Sequence, residues 1–142
     1  MPTNDDEAKA YLDKVIERRG YVLESHKLLA KNDLKVLQAL DVMRDAAYAD
    51  QRILDKKTKE LILLVAQTAI HLPKRNIQNH IKLALDYGAT PQEILEAIEL
   101  LLPDAGIPTM FIGIEAWAEV VGAEKVDTSF ASYEGGVRKA EG

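Results

Sequence analysis

Apolar side chains recur at spacings of three and four along almost the whole chain, and no stretch alternates as a half-buried strand does. The five prolines and eight glycines sit mostly at the ends of these runs. The pattern predicts a first helix from about Asn4 to Arg19. Asp5, Asp6 and Glu7 suit its positive end, Arg18 and Arg19 its negative end, and Gly20 its stop. YVLESHKLLAKN reads as a connection with a short helix at most. Asp33 then caps LKVLQALDVMRDAAYA, where Leu34, Leu37, Leu40, Val42 and Ala46 make an apolar face. Asp55 begins a third helix that is apolar nearly all round from Leu61 to Val65, the mark of a central helix covered on several sides. A fourth runs from about Arg75 to Tyr87 and closes at Gly88. Thr90-Pro91-Gln92-Glu93 spells a helix start: a capping hydroxyl, proline at the first helical position, and a carboxylate reaching back. That fifth helix ends or kinks at Pro103 and Gly106, and a sixth spans about Pro108 to Val121 before Gly122. The expectation is an all-α single domain over residues 1–122. Residues 123–142, with Gly135-Gly136 and few apolar groups, form a tail that is mobile or docked on a neighbouring subunit through Phe130 and Tyr133.

Composition narrows the function. With 142 residues, 47% hydrophobic and 29% charged, the chain is long enough to bury a real core. A net charge of -5 argues against a nucleic-acid partner, which needs a basic face. The absence of cysteine excludes disulfides, zinc-thiolate sites, iron–sulfur clusters and all thiol chemistry. MPTNDDEAKA is too acidic for a signal peptide, and LILLVAQTAIHL is too short to span a bilayer, so a cytoplasmic protein with no membrane partner is expected.

Candidate chemistry concentrates between the third and fourth helices. Glu60, Leu64, Gln67 and His71 follow one stripe, and Ile77, His80, Ile81, Ala84 and Leu85 another, with Asn76 one turn before His80. A short connection makes these helices neighbours, so Glu60, Gln67, His71, Asn76 and His80 can converge. His80 then has two readings, a hydrogen-bonded core histidine or an acid–base group oriented by a carboxylate. Glu60 can equally be an exposed first-turn carboxylate favoured by the helix dipole, or one paired with Lys56, and His71 a simple helix end. Lys74 and Arg75 precede unpaired helix amides, a corner suited to a substrate carboxylate, or they are solvated loop residues. There is no glycine-rich phosphate loop, no HExxH and no GxSxG, and no spacing supports a metal site. Phe111 and Trp117 are candidate interface anchors in FIGIEAWAEV.

LDKKTKELILLVA, NHIKLALDYGATPQEILEAI and DAGIPTMFIGIEAWAEV, spanning residues 54–121, resemble the carboxymuconolactone decarboxylase family, which includes the alkylhydroperoxidase D-like proteins. The resemblance implies a bundle of about six helices round a central helical hairpin, assembled as a homotrimer or homohexamer with pockets near subunit contacts. It carries His80 over as the family histidine and Glu60 as its carboxylate. The redox branch has a CxxC pair four and seven residues before that histidine; here those positions are Asn76 and Pro73, which cannot form thiolates. The implied activity is therefore that of the decarboxylase branch: cofactor-independent decarboxylation or lactone processing of a small carboxylated metabolite, with no metal. His80 would be the acid–base group, Glu60 its partner, and Lys74, Arg75, Asn76, Gln67 and His71 the substrate-binding residues. The competing reading is a non-catalytic oligomeric ligand-binding or structural member of the family.

Overall fold

The computed structural model describes residues 3–123 and, as backbone only, residues 133–134 and 137–138. The fold is all-α, with helices α1 (Asp5–Arg19), α2 (Glu24–Asn32), α3 (Leu34–Arg44), α4 (Lys56–Ala69), α5 (Lys74–Asp86), α6 (Pro91–Glu99), α7 (Leu102–Ala105) and α8 (Ile107–Val121). A π-helical turn, Asp45–Ala49, continues α3. Two-residue strands β1 (Tyr133–Glu134) and β2 (Val137–Arg138) pair antiparallel, with Tyr133 opposite Arg138. The docking expected of Phe130 and the Tyr133 side chain lies outside the described residues.

The chain divides into two compact units, Met1–Arg52 and Ile53–Gly142. In the first, Asn4 caps α1 through a hydrogen bond from the Asp6 amide, and Gly20 ends it in the left-handed conformation at φ 82. The segment expected to be mainly a connection is the nine-residue α2. Its start carries no Ser, Thr or Asp cap; instead the Leu23 amide donates to His26 Nδ1 at 2.9 Å. Ala8, Ala30, Leu34 and Leu37 form the core of this unit, flanked by Tyr11, Leu12 and Leu29. The face expected on α3 is narrower than its sequence pattern: Leu40 and Val42 are exposed, and Asp41 is buried in their stead.

That buried carboxylate is fully engaged. Tyr11 donates its hydroxyl to Asp41 Oδ2 at 2.6 Å, and Arg19 donates through Nη2 to Asp41 Oδ1. Burial pushes the Asp41 carboxyl up, but the bonds from Tyr11 and Arg19 and the charges of Arg19 and Arg18 outweigh it and bring the pKa below its ordinary value.

In the second unit α4 and α5 form a helical hairpin that packs with α6 and α8. Leu64, Ile77, Ile81, Ala84, Ile94, Ile98 and Ala116 lie in its core, each large aliphatic side chain contributing up to about 1.5–3 kcal/mol by leaving water. Asp55 caps α4 by accepting from the Thr58 amide at 2.7 Å, and Thr90 and Glu93 close the reciprocal capping box of α6. The short α7 accommodates Pro103 in its first turn, where no amide hydrogen is required. Gly113 lets α8 approach α6: a Cβ there would stand 2.6 Å from Ile98 Cγ2. Trp117, expected at an interface, packs against the core and donates its indole N–H to the Pro91 carbonyl at 2.9 Å, while Phe111 is exposed.

Candidate active site on the α4–α5 hairpin

The cap at Asp55 fixes where α4 begins and so which face each later residue takes. Glu60, Leu64 and Thr68 are its buried positions, at successive intervals of four. Gln67 is half-buried beside this line, and His71 lies beyond the helix end, so the stripe drawn through Gln67 and His71 turns off the core. On α5 the buried positions are Ile77, Ile81 and Ala84, with His80 half-buried next to them.

The two helices join Glu60 to His80. His80 Nδ1 and Glu60 Oε2 are 2.5 Å apart; the carboxylate side chain is 0% exposed and the imidazole 21%. Glu60 is therefore not an exposed first-turn carboxylate, and Lys56 instead stands over the Tyr87 ring at 5.3 Å. An ionised carboxylate this deeply buried requires donors close by. With the carboxylate accepting, Nδ1 carries the hydrogen and Nε2 is left as the chemically available nitrogen. Nε2 makes no hydrogen bond to a described residue. A base or acid whose far nitrogen is held by a buried carboxylate has a fixed tautomer and ring orientation, the arrangement acid–base catalysis uses.

The remaining expected residues lie elsewhere on the hairpin, from Gln67 near the end of α4 to Asn76 in the first turn of α5. His71 adopts φ 56, a left-handed conformation found at no other described non-glycine residue. Its Nε2 lies 2.8 Å from the buried hydroxyl of Thr109, in the first turn of α8. Thr109 was not among the expected residues; it stands 38 positions away, and no local pattern links the two. Gln67 holds its Oε1 buried without a hydrogen-bond partner. Asn76 is half-buried in the first turn of α5. Lys74 is paired with Glu119, Nζ to Oε1 at 2.7 Å, and that bond raises its pKa. Glu119 also accepts from Gln78 Nε2 at 2.7 Å; the bonds from Lys74 and Gln78 lower its pKa. Arg75 is exposed and makes no ion pair among the described residues. Among the described residues no group of three His, Asp or Glu is placed to hold a metal ion, and no helix is long and apolar enough to cross a membrane.

Residues 35–119 match the sequence model of the carboxymuconolactone decarboxylase family. The match begins within α3, upstream of Leu54, and continues into α8. No curated protein and no solved structure matches the chain.

Proposed function

We propose that this chain, which belongs to the carboxymuconolactone decarboxylase family, is a cofactor-independent lyase acting on a small unsaturated lactone acid through the His80–Glu60 pair. The observation that carries the reading is the 2.5 Å contact between a half-buried imidazole and a carboxylate sealed from solvent. In the proposed reaction the bond to the departing carboxylate breaks and carbon dioxide leaves. The electron pair passes into the ring alkene and the lactone carbonyl, forming an enolate. His80, protonated at Nε2, gives its proton to the carbon end of that enolate, and solvent reprotonates the ring. Glu60 holds the ring in place throughout.

Arg75 is the better candidate for a substrate carboxylate that stays on the product, because Glu119 already neutralises Lys74. Gln67, Asn76 and His71 are assigned the polar edge of the substrate. Self-association as a homotrimer or homohexamer is part of the proposal. Exposed Ile62, Ile70, Leu100, Ile107 and Phe111 on the second unit support it.

The test is carbon dioxide release from a panel of unsaturated lactone acids. The wild-type protein is expected to release it, and His80→Ala to lose about 10²–10⁴ in rate. Glu60→Gln, which keeps the volume but no longer holds the ring by charge, is expected to lose most of the activity too. A His80→Ala protein of normal helicity and full activity sinks the mechanism. Lactone acids that only raise the melting temperature identify the non-catalytic, ligand-binding reading instead.

A further inference from the structure

The first turn of α2 is closed by a titratable group. A helix start leaves backbone amides unpaired, and a small polar side chain normally satisfies them. Position 23 is leucine, whose side chain accepts nothing; instead the Leu23 amide donates to His26 Nδ1 at 2.9 Å. Because the donor is a backbone N–H, the acceptor must be an unprotonated nitrogen. The contact therefore fixes a neutral ring with its hydrogen on Nε2. His71 differs, since its hydroxyl partner on Thr109 can either give or take a hydrogen.

Protonation of His26 is unfavourable here for three separate reasons. Nδ1 would turn from acceptor to donor and meet the Leu23 N–H head on. The new charge would sit in the first turn of a helix, at the positive end of its dipole. The half-buried ring also lies among charges from both helices that pack on α2. Arg19 of α1 and Arg44 of α3 repel an imidazolium; Asp41 of α3 attracts one, but it already accepts from Tyr11 and Arg19. On α2 itself Glu24 is the favourable charge, and it is paired with Lys27 at 3.1 Å. Burial first, then Arg19, bring the His26 pKa below its ordinary 6.5, with Arg44 adding to them and Asp41 opposing. The stabilisation from the neutral ring is thus fully present above pH 6.5 and is lost as pH falls through the depressed value. The turn has little else to hold it. Leu23, Glu24 and Ser25 are exposed, and the buried residue of this nine-residue helix, Ala30, lies in its second half. So short a helix has little stability of its own with which to keep an uncapped turn.

We propose that the Leu23–His26 contact is a pH-sensitive latch: the neutral imidazole closes the first turn of α2, and its protonation opens that turn while the second half stays packed through Leu29 and Ala30. Opening releases the Leu23 N–H and the segment joining α1 to α2, where Tyr21 and Leu23 are already 45% and 44% exposed. The first unit thereby has two backbone states within reach of a histidine titration. The latch uses no residue of the His80–Glu60 pair, so either proposal stands if the other fails.

The experiment is a heteronuclear NMR titration of the full chain from about pH 8 to about pH 4.5, which spans the histidine range and its acid side. At the upper end the His26 ring nitrogens are expected to report the Nε2–H tautomer. On acidification the Leu23 amide is expected to lose its hydrogen-bonded shift and to exchange with solvent about fivefold faster, after correction for the intrinsic pH dependence, a factor typical of a lost cap. The midpoint of that step should coincide with the titration of the His26 ring, and the amides of residues 29–32 should keep their protection. His26→Gln offers a carboxamide oxygen that accepts at every pH, and is expected to remove the Leu23 step. A Leu23 amide that passes unchanged through the His26 titration overturns the latch, and that readout needs no variant. So do an Nδ1–H tautomer at the upper end, a Leu23 step of full size in His26→Gln, and a loss of protection that runs through the whole of α2 at once.

Discussion

Tyr11 and Asp41 share one hydrogen bond, and each contributes to stability at an opposite end of the pH range. Burial, followed by the bond to Asp41 and its charge, raises the Tyr11 pKa from 10.0 to about 12. The folded protein holds that proton more tightly than the unfolded chain, so this contribution is fully present below pH 10.0 and is lost as pH rises through about 12. Denaturant midpoints measured across that range should fall for the wild type, and fall less for Tyr11→Phe. Asp41 works in the opposite sense. Its pKa is depressed in the fold, so its stabilisation is present at neutral pH and lost as pH drops through the depressed value. Asp41→Asn should therefore flatten the acid limb of the stability profile, at a lower plateau, because it leaves Arg19 buried against a neutral group. At the candidate active site the same scale of reasoning explains why Glu60 matters: a carboxylate with no solvent contact commits His80 Nδ1 and leaves only Nε2 for chemistry.

Helix ends were the most legible elements. Asp33, Asp55 and Thr90 each accept from an amide three residues on, a contact fixed by local backbone geometry and therefore written in the local sequence. Thr90→Ala should cost about 1 kcal/mol, read as a lowered denaturation midpoint with unchanged slope. The helix α2 was harder to read because its cap comes from a histidine side chain rather than from a small polar residue. Pro103 looked like an end or a kink and is the opening turn of α7, since proline suits both contexts. Gly113 shows what periodicity leaves out. It sits mid-helix without a turn to justify it, and its role is the close contact of α8 with α6 and α4: an added Cβ meets Ile98 Cγ2 at 2.6 Å and Thr68 Cγ2 at 3.1 Å. Gly113→Ala should destabilise by about 1–3 kcal/mol despite alanine's better helix propensity. The penalty should shrink in an Ile98→Ala background, where the clashing methyl is gone; an equal penalty in both backgrounds would assign it elsewhere.

For the whole molecule, assembly is the open physical question that the surface poses. Sedimentation of the wild type should give a trimer or hexamer of the 15.8 kDa chain, and a double change, Ile107→Glu with Phe111→Glu, should shift it toward monomer while preserving helicity. A wild type that sediments as a monomer at all concentrations removes that part of the proposal. By itself the sequence determined the helical character of the chain, most of its helix boundaries, and the exclusion of thiol chemistry by the lack of cysteine. It also marked Glu60 and His80 as chemically interesting, without deciding between a core histidine and a site. Local contacts carry that much because a helix fixes its own i to i+3 and i+4 geometry. The tertiary structure alone decided which side chains meet. Glu60 pairs with His80 across 20 positions, Arg19 with Asp41 across 22, His71 with Thr109 across 38, and Lys74 with Glu119 across 45. Such pairings depend on how helix faces dock and rotate against one another, and a one-dimensional pattern of apolar and polar positions fixes the faces but not their partners.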